Sequence, residues 1–239
     1  MRNSLLHPPS DTVSPQQDVE VALLHDAYAR LRQSLLMIVT VSCIFAGLLW
    51  PFFPMPLMTI WVIVILSVAG ARYLLWKSFQ RAQGQTLALA RWRRLFWAGS
   101  AAAGAAWALG PTLMMPEAGS AEPMLFVGTL LSVCAVAIST QASQQAAMQV
   151  FIAAALAPPA IALLNTGGDV ERVTATILIA GLVTLIVVGR RSGKEMRHLL
   201  EAQFRIQEIL NTAMDAVIGM DVHGKITDWN FRAEAIFGR

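Results

Sequence analysis

The chain has 239 residues, of which 56% are hydrophobic and 14% are charged, and its formal net charge is +3. Average soluble domains carry about 25% charged and 45 to 50% apolar residues, so this composition excludes an ordinary soluble globular protein. The apolar residues also fall in long blocks along the chain. We therefore expect an all-α integral membrane bundle whose principal partner is the lipid bilayer, and no nucleic-acid partner.

The region before the first apolar block is expected to have two parts. Residues 1–13 are polar and contain proline, which predicts a loose segment, whereas 14–34 should form a cytoplasmic amphipathic helix capped by Ser14. An apolar seam with alternating spacings of three and four follows at Val21, Leu24, Tyr28, Leu31 and Leu35. Such a seam could pair with a partner helix, lie on the membrane surface or pack on the rest of the chain.

Six apolar blocks follow, each near the roughly 17 to 25 residues that cross a bilayer as a helix. They comprise residues 35–53, 57–75, 95–115, 124–140, 146–164 and 173–188. Together they predict six transmembrane helices over 35–189. The uncharged stretch 139–145 leaves one alternative, in which the fourth and fifth blocks form a single long helix and the chain has five spans.

The positive charges indicate the orientation of these spans. With both termini in the cytoplasm, 17 of the 18 Lys and Arg residues lie on the cytoplasmic side or at its interface, including Arg72, and only Arg172 lies outside. This distribution strongly satisfies the positive-inside rule. An odd number of spans would place the basic residues of 190–197 outside, so the charges favour six spans.

The third block is rich in small residues. The pairs Gly99/Ala103, Ser100/Gly104 and Gly104/Ala108 stand four residues apart, a spacing that lets helix backbones approach closely. We therefore expect this helix at the centre of the bundle. The same pairs occur within one chain as readily as between two chains, so they do not predict an oligomeric state.

The spans carry little chemistry. Every Asp, Glu and His residue lies outside the cores of the apolar blocks, and no catalytic motif or metal-spaced Cys and His set is present. A transporter or a redox protein would be expected to bury ionisable groups or metal ligands in the middle of the membrane. We therefore expect the chain itself to catalyse nothing.

Several methionines cluster near the predicted outer ends of the first four spans, at Met55, Met58, Met114, Met115 and Met124. Thioethers are soft ligands that suit copper(I), which makes a copper site one hypothesis. The alternative is that flexible methionine side chains simply fill space at a membrane interface. No other set of metal ligands is predicted.

The residues after the sixth block, 190–211, are expected to continue as a helix with a second apolar seam. Its members are again three or four residues apart, and they are Met196, Leu199, Gln203, Ile206, Leu210 and Ala213. This spacing is typical of a parallel two-stranded coiled coil, in which Gln203 would set the register at some cost in stability. The alternative is an amphipathic helix that folds back on the residues following it.

The last residues predict a strand at 216–220, a turn from Asp221 to Gly224, a strand at 225–229 and a helix that starts at Asn230. Their order and spacing resemble the opening of a bacterial PAS domain. The resemblance rests mainly on Asp215, Asp221, Gly224, Asn230, Phe237 and Gly238. The alternative is an ordinary hairpin, since the turn is favourable on its chemistry alone.

A PAS fold needs roughly a hundred residues, so the resemblance implies that 212–239 is an incomplete α+β PAS domain. The whole layout, with the Arg-Trp-Arg-Arg-x-Phe-x-x-Gly motif of 91–99, is similar to the six-span sensor regions that precede PAS modules in bacterial signalling proteins. Those proteins are cyclic-di-GMP enzymes with GGDEF or EAL domains, and sensor histidine kinases. The resemblance assigns no cofactor.

This resemblance implies a sensory input module in the bacterial cytoplasmic membrane. A cue would pass through the signalling helix, 190–211, to the PAS domain and to an output domain beyond Arg239. The full-length protein would then be a diguanylate cyclase, a phosphodiesterase or a histidine kinase, and a homodimer through the signalling helix. Two alternatives remain, a small transporter-like bundle and a purely structural membrane anchor that dimerises the output domain.

Overall fold

The structure is a computed structural model that describes residues 15–51, 53–82, 89–114, 122–212 and 215–238. The chain divides into two compact units. One is Val21–Lys194, which we call the helical bundle. The other contains the residues from Glu195 onward, which we call the C-terminal unit.

The described part of the chain is mostly helical, with six long helices. They are α1 (Pro15–Leu49), α2 (Met55–Ala82), α3 (Leu89–Leu113), α4 (Glu122–Gln141), α5 (Gln145–Thr166) and α6 (Asp169–Thr212). Each of the six predicted apolar blocks falls mainly within its own helix. Residues 15–34 and the first block form one helix, α1, and 190–211 continues from the sixth block as part of α6.

Four of these helices are long and apolar enough to cross a membrane. The qualifying segments are Val19–Leu49, Met55–Ala82, Gln145–Thr166 and Asp169–Ile206. The apolar part of α4, Leu125–Gln141, is shorter. The α3 helix is not among the qualifying segments. The chain is thus consistent with a membrane protein, whereas the six-span count stays a prediction.

The α4 and α5 helices are separate, so the single-helix alternative for 139–145 is wrong. The α4 helix ends at Gln141, and α5 begins at Gln145 after Gln144, whose φ of −123° and ψ of 72° are not helical. The backbone N–H of Gln144 donates to the carbonyl of Gln141 at 2.9 Å, which closes a turn between the helices. The two helices then pack against each other.

The α3 helix lies between α2, α4 and α5, as its small residues predict. A side chain at Gly104 would collide with the backbone carbonyl of Phe151 and lie 3.0 Å from Cβ of Ala154. A side chain at Gly110 would lie 2.8 Å from the ring of Trp61, whose Nε1 donates to the carbonyl of Ala106 at 3.0 Å. Here the small residues permit close packing within one chain.

The α1 seam packs on the rest of the chain. Leu24, Tyr28, Leu31 and Leu35 are buried in a core cluster that also contains Phe79 of α2 and Phe96 of α3. The Tyr28 ring stacks on the Phe79 ring at 3.8 Å, and its hydroxyl donates to the carbonyl of Trp92 at 3.0 Å. Of the three alternatives for this seam, intramolecular packing is therefore the one found.

The C-terminal unit contains an antiparallel pair of strands, β1 (Ile218–Met220) and β2 (Ile226–Trp229), and a short helix, α7 (Phe231–Phe237). Both strands are shorter than predicted. At the start of β1 the reason is that Val217 pairs with Asn230, since its N–H donates to Asn230 Oδ1 and its carbonyl accepts from the Asn230 N–H. A register irregularity also lies between Gly219 and Met220.

Candidate functional site

Asn230 is the residue that joins the parts of the C-terminal unit. Its Oδ1 accepts from the N–H of Ala233 at 2.9 Å, which caps α7, and also from the N–H of Val217 at 2.9 Å. Its Nδ2 donates to the carbonyl of Asp215 at 3.0 Å. One buried side chain thus fixes the start of α7, the start of β1 and the residue before it. This is the N-cap that the sequence predicts at Asn230.

Asp221 and Gly224 form the predicted turn between the strands. Asp221 Oδ1 accepts from the N–H groups of His223 and Lys225, both at 2.9 Å, and its carbonyl accepts from the N–H of Gly224 at 3.0 Å. Gly224 has a φ of +76°, which is the left-handed region that glycine tolerates. The residues of the turn are exposed.

The remaining residues of the resemblance also have structural places. Gly238 has a φ of +73° and ends α7, its N–H donating to the carbonyl of Glu234 at 2.9 Å. The Phe237 ring meets the ring of Trp229 edge to face, with the ring centroids 5.8 Å apart. These contacts hold a strand–turn–strand–helix unit together, which is the local structure that the sequence predicts.

The signalling-helix seam lies on α6 and is largely exposed where it is described. Leu199 is 64% exposed and Ile206 is 58% exposed, Gln203 is exposed and Met196 is half-buried. The side chain of Leu210, and all of Ala213, lie outside the described residues. The described part of the C-terminal unit therefore leaves an aliphatic face of α6 uncovered.

The predicted methionine cluster divides between core and surface. Met58 and Met114 are buried in the core cluster that fills the middle of the helical bundle, whereas Met55 is exposed. Met115 and the side chain of Met124 lie outside the described residues. Packing explains Met58 and Met114, and the copper site stays a prediction without a described ligand set.

The sequence predicts Arg72 at the cytoplasmic interface, near the end of the second span, but does not predict that its side chain is buried. Arg72 is only 3% exposed and is the only buried Lys or Arg among the described residues. It lies on α2 and packs along Gly99 of α3, its Cγ being 3.4 Å from where a Gly99 side chain would begin. The sequence shows a single arginine between apolar residues, but it does not show the helix pairing that buries this side chain.

Arg72 begins a polar network that connects three helices. Its Nη2 donates to Ser100 Oγ of α3 over a long 3.5 Å, and Ser100 Oγ donates to Gln141 Oε1 of α4 at 2.8 Å. Its guanidinium carbon lies 5.8 Å from the centre of the Phe96 ring, which is within cation–π range. All three polar residues are buried.

The network is incomplete. Arg72 Nη1 is buried and has no hydrogen-bond partner, and neither Trp107 Nε1 nor Ser143 Oγ has one among the described residues. Buried donors without partners are costly, and a guanidinium has five N–H groups to satisfy. Arg72 therefore retains hydrogen-bonding capacity that its described neighbours do not fill.

Two cavities lie beside the network. The smaller, about 10 Å³, is lined by Arg72, Ile38 and Trp107 among others. The larger, about 70 Å³, lies between α1 and α4 and is also lined by Ile38 and Trp107. Gln141, the last member of the network, lines the larger cavity. Apart from Gln141, its wall is mainly apolar.

In the described part of the chain, no group of three or more His, Cys, Asp or Glu side chains is arranged to hold a metal ion.

Comparison with protein-family models, with curated proteins and with solved structures finds no match to this chain. Inferences about function therefore rest on two features of the structure. One is the buried cation beside a small cavity, and the other is the long helix α6, which precedes the capped strand–turn–strand–helix unit in the chain.

Proposed function

We propose that this chain is the N-terminal sensory input module of a bacterial signal-transduction protein. In this proposal the bundle crosses the cytoplasmic membrane six times with both termini inside, and it detects a membrane or small-molecule cue. The residues from 212 onward begin a PAS domain, and the output domain turns over cyclic-di-GMP or is a histidine kinase. The charge distribution and the six apolar blocks, each in its own helix, support this topology.

The observation that carries the proposal is the continuity of α6. One uninterrupted helix of 44 residues contains both the sixth apolar block and the whole described part of the second seam. A rigid helix can transmit a rotation or a sliding movement along its length without any new contact. Such a relay requires only that the cue binds one helix arrangement more tightly than the other.

The exposed seam of α6 supports a homodimer in the proposed protein. Leu199 and Ile206 present aliphatic surface at coiled-coil spacing, and a second copy of the same helix would cover it. In a parallel pair of α6 helices, a movement of the helices in the bundle would rotate the two seams relative to each other. The output domains would then be brought into or out of register.

An insertion experiment in the full-length protein tests the relay. Two residues inserted after Lys194 rotate the seam by about 200° relative to the bundle, whereas seven residues preserve the heptad phase and serve as the control. We expect the two-residue insertion to abolish the response of the output activity to the cue and the seven-residue insertion to retain it. If both insertions leave regulation unchanged, α6 is not a relay and the role of a structural anchor is favoured.

One observation favours a second candidate, the transporter-like bundle. Its main counter-argument was the absence of buried charge, and Arg72 is a buried charge. Ionisable residues inside membrane helices mark substrate paths in many transporters. Flux of small anions into proteoliposomes, lost in Arg72→Gln, would support this candidate, and its absence in the wild-type chain would exclude it.

A further inference from the structure

Arg72 lies within its helix and not at the helix end. At 1.5 Å per residue it stands about 26 Å along α2 from Met55, near the far face of a bilayer core of roughly 30 Å. The side chain is also turned inward, since only 3% of the residue is exposed. Because its side chain is turned inward, the guanidinium is not solvated as that of an outward-facing arginine at a helix end is.

The charge of Arg72 has no partner of opposite sign in the described part of the chain. None of the ion pairs there includes Arg72, and its only hydrogen bond is the 3.5 Å contact with the neutral Ser100. Burying a cation without an anion is costly, and buried charges in proteins are normally paired. The chain thus presents one half of an ion pair, with Nη1 left to bind the other half.

The space beside Arg72 indicates the size of the missing anion. The cavity that Arg72 lines has a volume of about 10 Å³. That volume is near the minimum for one water molecule, so the anionic group must be small and must displace neighbouring side chains to reach Nη1. Because Arg72 is the only buried Lys or Arg described, a single negative charge balances the site, and a dianion would exceed it. Among small monoanionic groups, a carboxylate is the one that a guanidinium binds in a planar two-point contact.

The larger cavity indicates what is attached to that group. It shares Ile38 and Trp107 with the smaller cavity, and apolar side chains line most of it. Its wall includes the exposed residues Met37 and Ser132, so it reaches the outer surface of the bundle, which faces lipid in the proposed topology. An apolar cavity next to a few fixed polar groups is the usual form of a small-molecule site.

We propose that Arg72 binds a monoanionic carboxylate, either the head of a single-chain lipid-soluble acid or a free small carboxylate. Nη1 and Nη2 donate to the carboxylate, and the Ser100–Gln141 hydrogen bond keeps the network oriented. The chain of a lipid-soluble acid lies in the cavity between α1 and α4. This site would also be where the bundle detects its cue, a step that rests on the proposed function.

Binding to the purified 239-residue chain in non-ionic micelles tests the site. The probes are decanoate, its neutral methyl ester and acetate, and the measurement is the Tm as a function of probe concentration. We expect decanoate to raise the Tm and the methyl ester to leave it unchanged. Acetate distinguishes the two sources, because a shift with acetate identifies a free-carboxylate site and no shift identifies a site for the lipid-soluble acid.

Two variants and one control locate the effect. Arg72→Gln should weaken decanoate binding by about tenfold or more, since a charge-assisted contact is lost. Arg81→Gln changes an exposed arginine of the same helix and should bind as the wild type does. Ala137→Phe places a ring in the larger cavity and should abolish the decanoate shift while leaving any acetate shift intact.

Three results would overturn the site: no shift with either carboxylate, an equal shift with the methyl ester, or a decanoate shift that persists in Arg72→Gln. Should Arg72→Gln fail to fold, Arg72→Lys replaces it, because lysine keeps the charge and loses the planar two-point geometry. It should then weaken binding by about tenfold. The binding assay involves no output domain, so a negative result would overturn the carboxylate site without testing the relay. The insertion experiment tests the relay, and its outcome does not depend on this site.

Discussion

The two amphipathic seams of the chain share one sequence pattern and differ in what covers them. In α1, Tyr28 and its neighbours are buried against α2 and α3 of the same bundle. In α6, Leu199 and Ile206 remain exposed. The spacing of three and four is the same in both segments, so the pattern alone does not identify the partner of an apolar face.

The difference lies in the partners that the fold supplies. The α1 seam meets aromatic rings at matching depth, Phe79 and Phe96, and its tyrosine hydroxyl finds a backbone carbonyl. The described residues of the C-terminal unit supply no comparable surface for the α6 seam. A buried aromatic seam should therefore determine the stability of the bundle, whereas an exposed aliphatic seam should determine association with a second chain.

The largest expected effect is from Tyr28→Ala. This change removes a ring stacked on Phe79 and a hydrogen bond to Trp92, and we expect it to lower the free energy of unfolding by about 3 to 5 kcal/mol. The matched control is Tyr73→Ala, because Tyr73 is exposed on α2 and should lose less than about 1 kcal/mol. Denaturant unfolding in micelles measures both. Equal losses would contradict the burial of the α1 seam.

Overpacking the same seam should have the next largest effect. Ala27 is fully buried on α1, whereas Ala29 of the same helix is exposed. Ala27→Phe should cost about 1 to 3 kcal/mol, since a well-packed core admits no ring without displacement. Ala29→Phe should change stability by no more than about 0.5 kcal/mol. If the two variants unfold alike, α1 does not pack on the bundle as described.

In the C-terminal unit the strongest local contribution should come from Asn230. Asn230→Ala removes the cap of α7 and the contacts to Val217 and Asp215, and we expect a loss of about 1 to 2 kcal/mol. Asn230→Asp retains the acceptor oxygen and should lose less. Hydrogen exchange of the Val217 and Ala233 amides measures this, and unchanged protection in Asn230→Ala would show that polar contacts do not close the unit.

The smallest effect on the stability of a single chain should come from Leu199→Asp combined with Ile206→Asp. Both side chains are exposed, so the free energy of unfolding should change by only about 0.5 kcal/mol. Self-association should be lost, since two charges would enter each copy of the seam. Sedimentation in micelles measures it, with Ala202→Asp as a control outside the seam. A wild-type chain that is already monomeric would contradict the dimer.

Much of the local structure was predictable because its causes are local. Each apolar block lies mainly in its own helix, since hydropathy and helix length depend on neighbouring residues. The turn at Asp221 and Gly224, and the cap at Asn230, follow from side chains that bond their own or nearby backbone. Even the central position of α3 could be read from its small residues.

The buried arginine was not predictable in the same way. Arg72 and Arg81 stand on one helix nine residues apart, and both were assigned to the cytoplasmic side. Only one of them meets Gly99 and Ser100 of α3, and that contact depends on how two helices pack. Hydropathy counts a charge against a span, but it does not show which way the side chain points.

The amino-acid sequence by itself determined the apolar helices, the positions of the turns and caps, and the excess of positive charge toward one side of the proposed membrane. Tertiary structure alone decided that the α1 seam is buried, that the described α6 seam is exposed, and that Arg72 is buried and lines a small cavity. The physical reason is the sequence range of the interactions that determine each feature. Helix formation and capping depend on residues within a turn or two, whereas burial and charge pairing depend on residues that only the packed bundle brings together.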